Sequence, residues 1–248
     1  MLMIPRIWLT TLPWASCALA IPLFPFPFDI ETLWTLFGGN NIPQQRIFDT
    51  AGWYDPRIGG GQMLDYTLEN FGEPLNVIIT GNSDPYILTE DGIHQYAKSI
   101  GFSEECLGLH YGNRHDANLG DGDGRKVEQF LARQAYFPII GTCWESVAGG
   151  HHFRAWKQNG SMADSGAWFI GASKEYDYQR HHGIVPNGYN LGRDFVVKRA
   201  TSGGSWKGKY WKAEVEWRTD LLEEGSEGVN HGIEQDGRVA VLTVHRLV

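Results

Sequence analysis

The sequence is poor in cysteine, in positive charge and in long apolar runs. Its three cysteines, Cys17, Cys106 and Cys143, are too few and too widely spaced for a structural zinc site. Lysine and arginine number 21 against 29 acidic residues, a formal net charge of −8. That balance argues against nucleic acid as a partner, because phosphate binding draws on clustered basic side chains. Beyond the first twenty residues no stretch is apolar enough to span a bilayer. No fixed-period repeat and no linker break the chain. The zinc-protease signature H-E-x-x-H and the nucleophile elbow G-x-S-x-G are both missing, so no hydrolase class is identified by a short motif.

What is present begins with a leader. A weakly basic start ending at Arg6 precedes an apolar run that closes on Ala18-Leu19-Ala20. Small residues at −3 and −1 predict a secretory signal peptide over residues 1–20, cleaved after Ala20. The rival, a membrane anchor, is opposed by the short run and by Pro13 and Pro22. A secreted, extracellular chain leaves Cys106 and Cys143 as one pair in an oxidising compartment, which predicts a disulfide, with two separate buried thiols as the alternative. Asn159-Gly160-Ser161 is an N-glycosylation sequon and asks for a surface loop. Pro22, Pro25 and Pro27 alternate with large apolar residues in a segment that cannot be helical.

Glycine, at 31 of 248 residues, and aromatics, at 13%, favour tight turns and packed sheet. Residues 75–80 read as a buried β-branched strand. Thr89 caps a helix whose apolar face is Ile93, Tyr96, Ala97 and Ile100, stopped at Gly101. Val127, Phe130, Leu131 and Ala135 predict a second helix over 125–135. Strands are expected at 151–158, 167–173, 211–217 and 239–246, and a short helix at 192–199. The sum is a single α+β domain over 21–248, with a mixed, largely antiparallel sheet and a few packed helices.

Four constellations could carry chemistry. Residues 116–126 alternate Asp and Gly, and carboxylate oxygens on a flexible loop suit hard cations. The loop fails the EF-hand pattern, because Asp121 and Val127 occupy the Gly and Glu positions, and a solvated turn explains it equally. On a strand, His152, Arg154 and Trp156 face one way and could hold an anionic or sugar ligand. His181-His182 with Arg193-Asp194 form a third group, in which Asp177 or Asp194 could orient an imidazole. Trp206, Tyr210, Trp211 and Trp217 form either an aromatic platform or sheet core.

Gly72-Glu73-Pro74-Leu75-Asn76-Val77, His151-His152-Phe153-Arg154-Ala155-Trp156, Gly171-Ala172-Ser173 and then His182, Pro186, Arg193 and Asp194 occur in that order. The order resembles the carboxy-terminal domain of bacterial LssY proteins over roughly residues 50–200, and a group of secreted fungal proteins over the chain after the leader. Gly183, Val185 and Gly192 depart from the bacterial pattern, where charged residues are expected. That bacterial domain often accompanies a membrane lipid-phosphatase domain, whose Pro-Ser-Gly-His motif and spans are absent here, so the resemblance implies a fold and a motif set but no phosphatase activity.

Two function classes follow. One is a secreted hydrolase with His152, His182 and Asp194 as catalytic groups and Arg154, Arg193 and Trp156 as contacts to a small anionic or glycan substrate. The other is a non-catalytic ligand-binding or host-interaction module using the same residues. Neither class names a cofactor or a resident metal. The first requires His152 and His182 to meet in one concave pocket; a buried Arg154–Asp194 pair touching no ligand would favour the fold instead.

Overall fold

A computed structural model describes residues 50–108, 113–134 and 141–247. The leader, the proline-phenylalanine segment and residue 135 lie outside the described residues. The fold is α+β, as the sequence predicts. Ten strands and three α-helices are described: β1 (Val77–Ile79), α1 (Glu90–Ser99), β2 (Phe102–Ser103), β3 (Asp116–Asn118), β4 (Arg125–Val127), β5 (Phe130–Gln134), α2 (Cys143–Ala148), β6 (His151–Asn159), β7 (Asp164–Lys174), α3 (Gly188–Ser202), β8 (Gly204–Trp206), β9 (Lys209–Arg218) and β10 (Val239–Leu247). Eight strands form one sheet in the order β2-β5-β6-β7-β1-β10-β9-β8, and β3 pairs with β4 in a separate hairpin. Only the β1–β10 pairing in this sheet is parallel.

The sheet is covered on both faces, so its central strands read as unbroken apolar runs. Val77 and Ile79 point to a core shared with Ile93, Tyr96 and Ala97 of α1 and Val196 and Ala200 of α3. Ile78 points the other way, toward Trp53, Met63, Leu75 and Leu221, which belong to loops. Thr89 caps α1 by accepting the Gly92 N–H at 3.0 Å, and Gly101 follows the helix at φ 91°. No described helix is long and apolar enough to cross a membrane.

The helix expected over 125–135 is not formed; β4 and β5 stand there instead. Phe130 and Ala132 enter the helix-side core while Leu131 and Arg133 face the opposite side, and all four are buried. A strand buried on both faces mimics the i, i+3, i+4 pattern of a helix, which misled the periodicity. The aromatic stretch is chiefly core: Trp211 is fully buried, and Trp206 and Trp217 pack against the same cluster, while Tyr210 remains exposed.

Cys106 and Cys143 are disulfide-bonded, with Cα atoms 4.4 Å apart and a sequence separation of 37. The bond joins the turn after β2 to the start of α2. Replacing both cysteines by alanine is expected to lower unfolding stability by about 2–4 kcal/mol, read by urea denaturation; an unchanged midpoint would contradict this. Gly192 generates a second prediction. A Cβ there would lie 2.3 Å from the Ser173 Cα and 2.4 Å from its nitrogen. α3 therefore rests on β7 without room for any side chain, let alone the charged one that the resemblance anticipates. Gly192→Ala is expected to cost about 1–3 kcal/mol by overpacking, seen as a lowered melting temperature; a neutral result would show that α3 shifts freely.

Candidate active site

Antiparallel register brings the ionisable residues together. Arg133 of β5 pairs with His152 of β6, which pairs with Ser173 of β7. These side chains share the face opposite α1 and α3, and two positions beyond Ser173 the same alternation places Glu175 among them. The Tyr176 N–H bonds to the Gly183 carbonyl at 2.9 Å and closes the 176–183 loop, which returns His182 to the same place. Within that loop Asp177 accepts the Arg180 N–H through its side chain, and its carbonyl accepts the His182 N–H. Asp177 thus shapes the loop rather than meeting an imidazole ring. His181 and His182 both sit in the left-handed region, at φ 55° and 52°. Two such residues in a row are costly for side chains other than glycine and asparagine, and such strain gathers at functional loops.

Glu175 is the meeting point. Its Oε1 lies 3.3 Å from His152 Nδ1, and its Oε2 lies 3.4 Å from His182 Nδ1 and 2.6 Å from Arg133 Nη1. Arg133 also reaches Glu105 at 3.1 Å and Glu145 at 3.4 Å. Burial opposes the charge on Glu175, but His152, His182 and Arg133 together hold its pKa well below the usual carboxylate range. Glu145 goes the other way: burial lifts it to about 7, against the pull of Arg133. His152, 1% exposed, is driven by burial to about 3 and is neutral at pH 7. His182 is half-buried, and its contact with Glu175 raises its pKa above the ordinary histidine value.

A second cluster lies along the same face. The loop of residues 63–76 folds back on itself, with Asp65 and Glu73 bonded backbone to backbone. Asp65 Oδ1 accepts the Thr67 N–H, the Thr67 hydroxyl and the Glu73 N–H, and Oδ2 lies 2.8 Å from His115 Nδ1. Burial, then the charge of Asp65, lifts the Glu73 carboxyl to about 7. Glu128, which receives the His115 N–H at 3.4 Å, is ion-paired with Arg154 Nη1. Arg154 Nε is buried with no hydrogen-bond partner. Both clusters open on one cleft of about 860 Å³, whose walls include Glu73, His115, Arg133, Arg154, Glu175 and His182.

The sequence-predicted residues divide. His152 and His182 converge, on Glu175 rather than on Asp194. His182 lines the cleft; His152 lies behind Glu175 and positions it. Arg154 lines the cleft but pairs with Glu128, not Asp194. Arg193 and Asp194 are elsewhere: Arg193 is buried, bonded to Asp194 Oδ1 at 2.9 Å and to Asp236 Oδ2 at 2.9 Å, and ties α3 to the segment before β10. Trp156 is fully buried among Leu75, Ile78 and Phe169 and is core, not a ligand contact. The Asp-Gly loop is the turn of the β3–β4 hairpin. Asp121 there is ion-paired with Lys126 and accepts the Asn159 and Gly160 N–H groups, so its carboxylate is fully employed as a structural acceptor.

Glu145 generates a pH prediction. Its folded pKa is raised, so between about pH 4.5 and 7 the folded state holds a proton that the unfolded state has lost, and stability falls as pH rises through that window. Glu145→Gln removes this dependence. Relative to the parent, its melting temperature is expected to gain several degrees at pH 8 and little at pH 5; a larger gain at pH 5 would reverse the assignment.

No protein-family model, no curated protein and no solved structure matches the chain.

Proposed function

We propose that the chain is a secreted hydrolase acting on an oxygen-rich substrate, anionic or glycan, in the cleft that Glu175 and His182 face. The observation that carries the reading is the convergence of two histidines, one from β6 and one from the loop after β7, on one buried, ionised carboxylate at the wall of an open cleft. His182 is the general acid. Its Nδ1 faces Glu175 Oε2 at 3.4 Å, and the other ring nitrogen is the one available to a substrate. The bond to the leaving oxygen breaks as His182 supplies that oxygen with a proton. Water supplies hydroxyl to the other fragment and returns the proton to the imidazole. Arg133 and Arg154 are both already paired with carboxylates, so the cleft receives a substrate oxygen through single hydrogen bonds rather than through a bare cationic patch.

Secretion fits the disulfide, the leader and the exposed Asn159 at the β6–β7 turn, which is accessible to a glycosyl transferase. The LssY-like reading is supported by part of its motif set: Glu73, His152, Arg154, Ser173 and His182 belong to the two clusters, while Trp156, Arg193 and Asp194 fall elsewhere. It extends to fold and motif set alone.

The test is turnover by the secreted protein on a panel of chromogenic glycosides, carboxylic esters and phosphate esters. Activity is expected to fall as pH rises through the elevated His182 pKa, which is set by Glu175, Arg133 and Glu145 around the ring. His182→Gln is expected to reduce kcat by about 10²-fold or more with little change in melting temperature, because the side chain is partly exposed. Saturable binding of a glycan or organic anion without turnover of any substrate would assign the cleft to a binding module instead.

A further inference from the structure

We propose that Asp65, Glu73 and His115 bind one divalent cation of the zinc type at the wall of the cleft. The inference deepens the hydrolase reading by giving the same cleft a metal, and it rests on that reading only for the metal's chemical use.

The three side chains can each offer a ligand atom, and those atoms lie within 4.8 Å of one another. All three residues are buried, at 1%, 6% and 8% exposure. Asp65 is locked in place: Thr67 and the Glu73 N–H fix one oxygen, and His115 Nδ1 meets the other at 2.8 Å. The same contact sets the His115 ring. This is the pre-orientation that ligand side chains need before a cation arrives.

Glu73 supplies the independent observation. The residue is 6% exposed and lines the cleft, and no described residue donates a hydrogen bond to its carboxyl. Every other buried acid of the two clusters has a cationic or imidazole partner: Asp65 has His115, Glu128 has Arg154, and Glu105, Glu145 and Glu175 share Arg133. Two carboxyl groups therefore share one imidazole, and the Arg154 guanidinium acts on Glu73 only from beyond ion-pair distance. A buried acid without a partner is unfavourable, and a cation removes the cost.

The donor set selects the ion. One imidazole with two carboxylates suits zinc or a neighbouring transition metal, whereas calcium and magnesium take larger all-oxygen shells. Three protein ligands also match a site that keeps a position open, and Glu73 and His115 both belong to the cleft wall. A cation there would be a Lewis acid or a source of activated water, which is what a hydrolase with a separate general acid would lack.

The experiment is calorimetric titration of chelator-treated full-length secreted protein with zinc chloride at pH 7.5. To remove competing rim histidines, His181 and His231 are replaced by alanine throughout. One equivalent is expected, with a raised melting temperature on zinc addition. Glu73→Gln keeps the shape of the side chain and is expected to weaken binding at least ~10-fold. Asp65→Asn gives a second reading if Glu73→Gln misfolds. His182→Gln is expected to keep the zinc isotherm, so a failure of hydrolysis is separable from a failure of metal binding. Absence of stoichiometric binding in the folded parent, or undiminished binding in Glu73→Gln and Asp65→Asn, would overturn the proposal.

Discussion

One guanidinium organises the cleft wall. Arg133 stands near the end of β5 and holds Glu105, Glu145 and Glu175, which come from the turn after β2, from α2 and from the residue that follows β7. Of the three, Glu145 is the one that burial, helped by the neighbouring Glu175 charge, lifts to about 7 against the pull of Arg133. The Cys106–Cys143 bond lies beside this arrangement: Cys106 follows Glu105, and Cys143 precedes Glu145 by two residues. The disulfide therefore closes the segments that deliver two of the three carboxylates. A buried ionic cluster of this kind is weak as a stability device, because apolar residues of equal volume do as well or better. Its position at an open cleft is what gives it meaning.

The same carboxylate has opposite consequences for its two histidines. His152 is enclosed between Glu175 and Ser173, where loss of solvation outweighs the attraction of the carboxylate. His182 keeps part of its ring in solvent, so the carboxylate outweighs burial. A neutral imidazole therefore backs Glu175 while a readily protonated one fronts it. This division of roles is the feature that separates the cleft from an ordinary buried ion-pair network.

Much of the fold was legible in the sequence, because α1, β6, β7, β9 and β10 carry strong periodicity and clear stops. The miss at 125–135 came from a strand buried on both faces, where no polar alternation survives to betray the period. His152, His182 and Arg154 were legible as chemistry-bearing residues. Their partner was not: Glu175 lies between Lys174 and Tyr176 with no motif spacing, and only the β6–β7 register sets it against His152. Glu73 lies inside a motif of the resemblance, but nothing in its spacing marks it as a cleft carboxylate. Asp65 and His115, 50 residues apart, meet through a loop closure that no local pattern announces. Arg193-Asp194 follows His182 in the motif order, but the helix turns Arg193 toward Asp236, away from the cleft.

The measurement closest to the central claim is a histidine-resolved NMR titration between pH 3 and 9, with His152→Asn and His182→Gln used for assignment. The account predicts that the His182 ring takes up its proton above the ordinary value near 6.5, while the His152 ring stays neutral down to about pH 4. Both rings titrating together near 6.5 would mean that Glu175 does not hold them apart, and the acid–base reading of the cleft would fail.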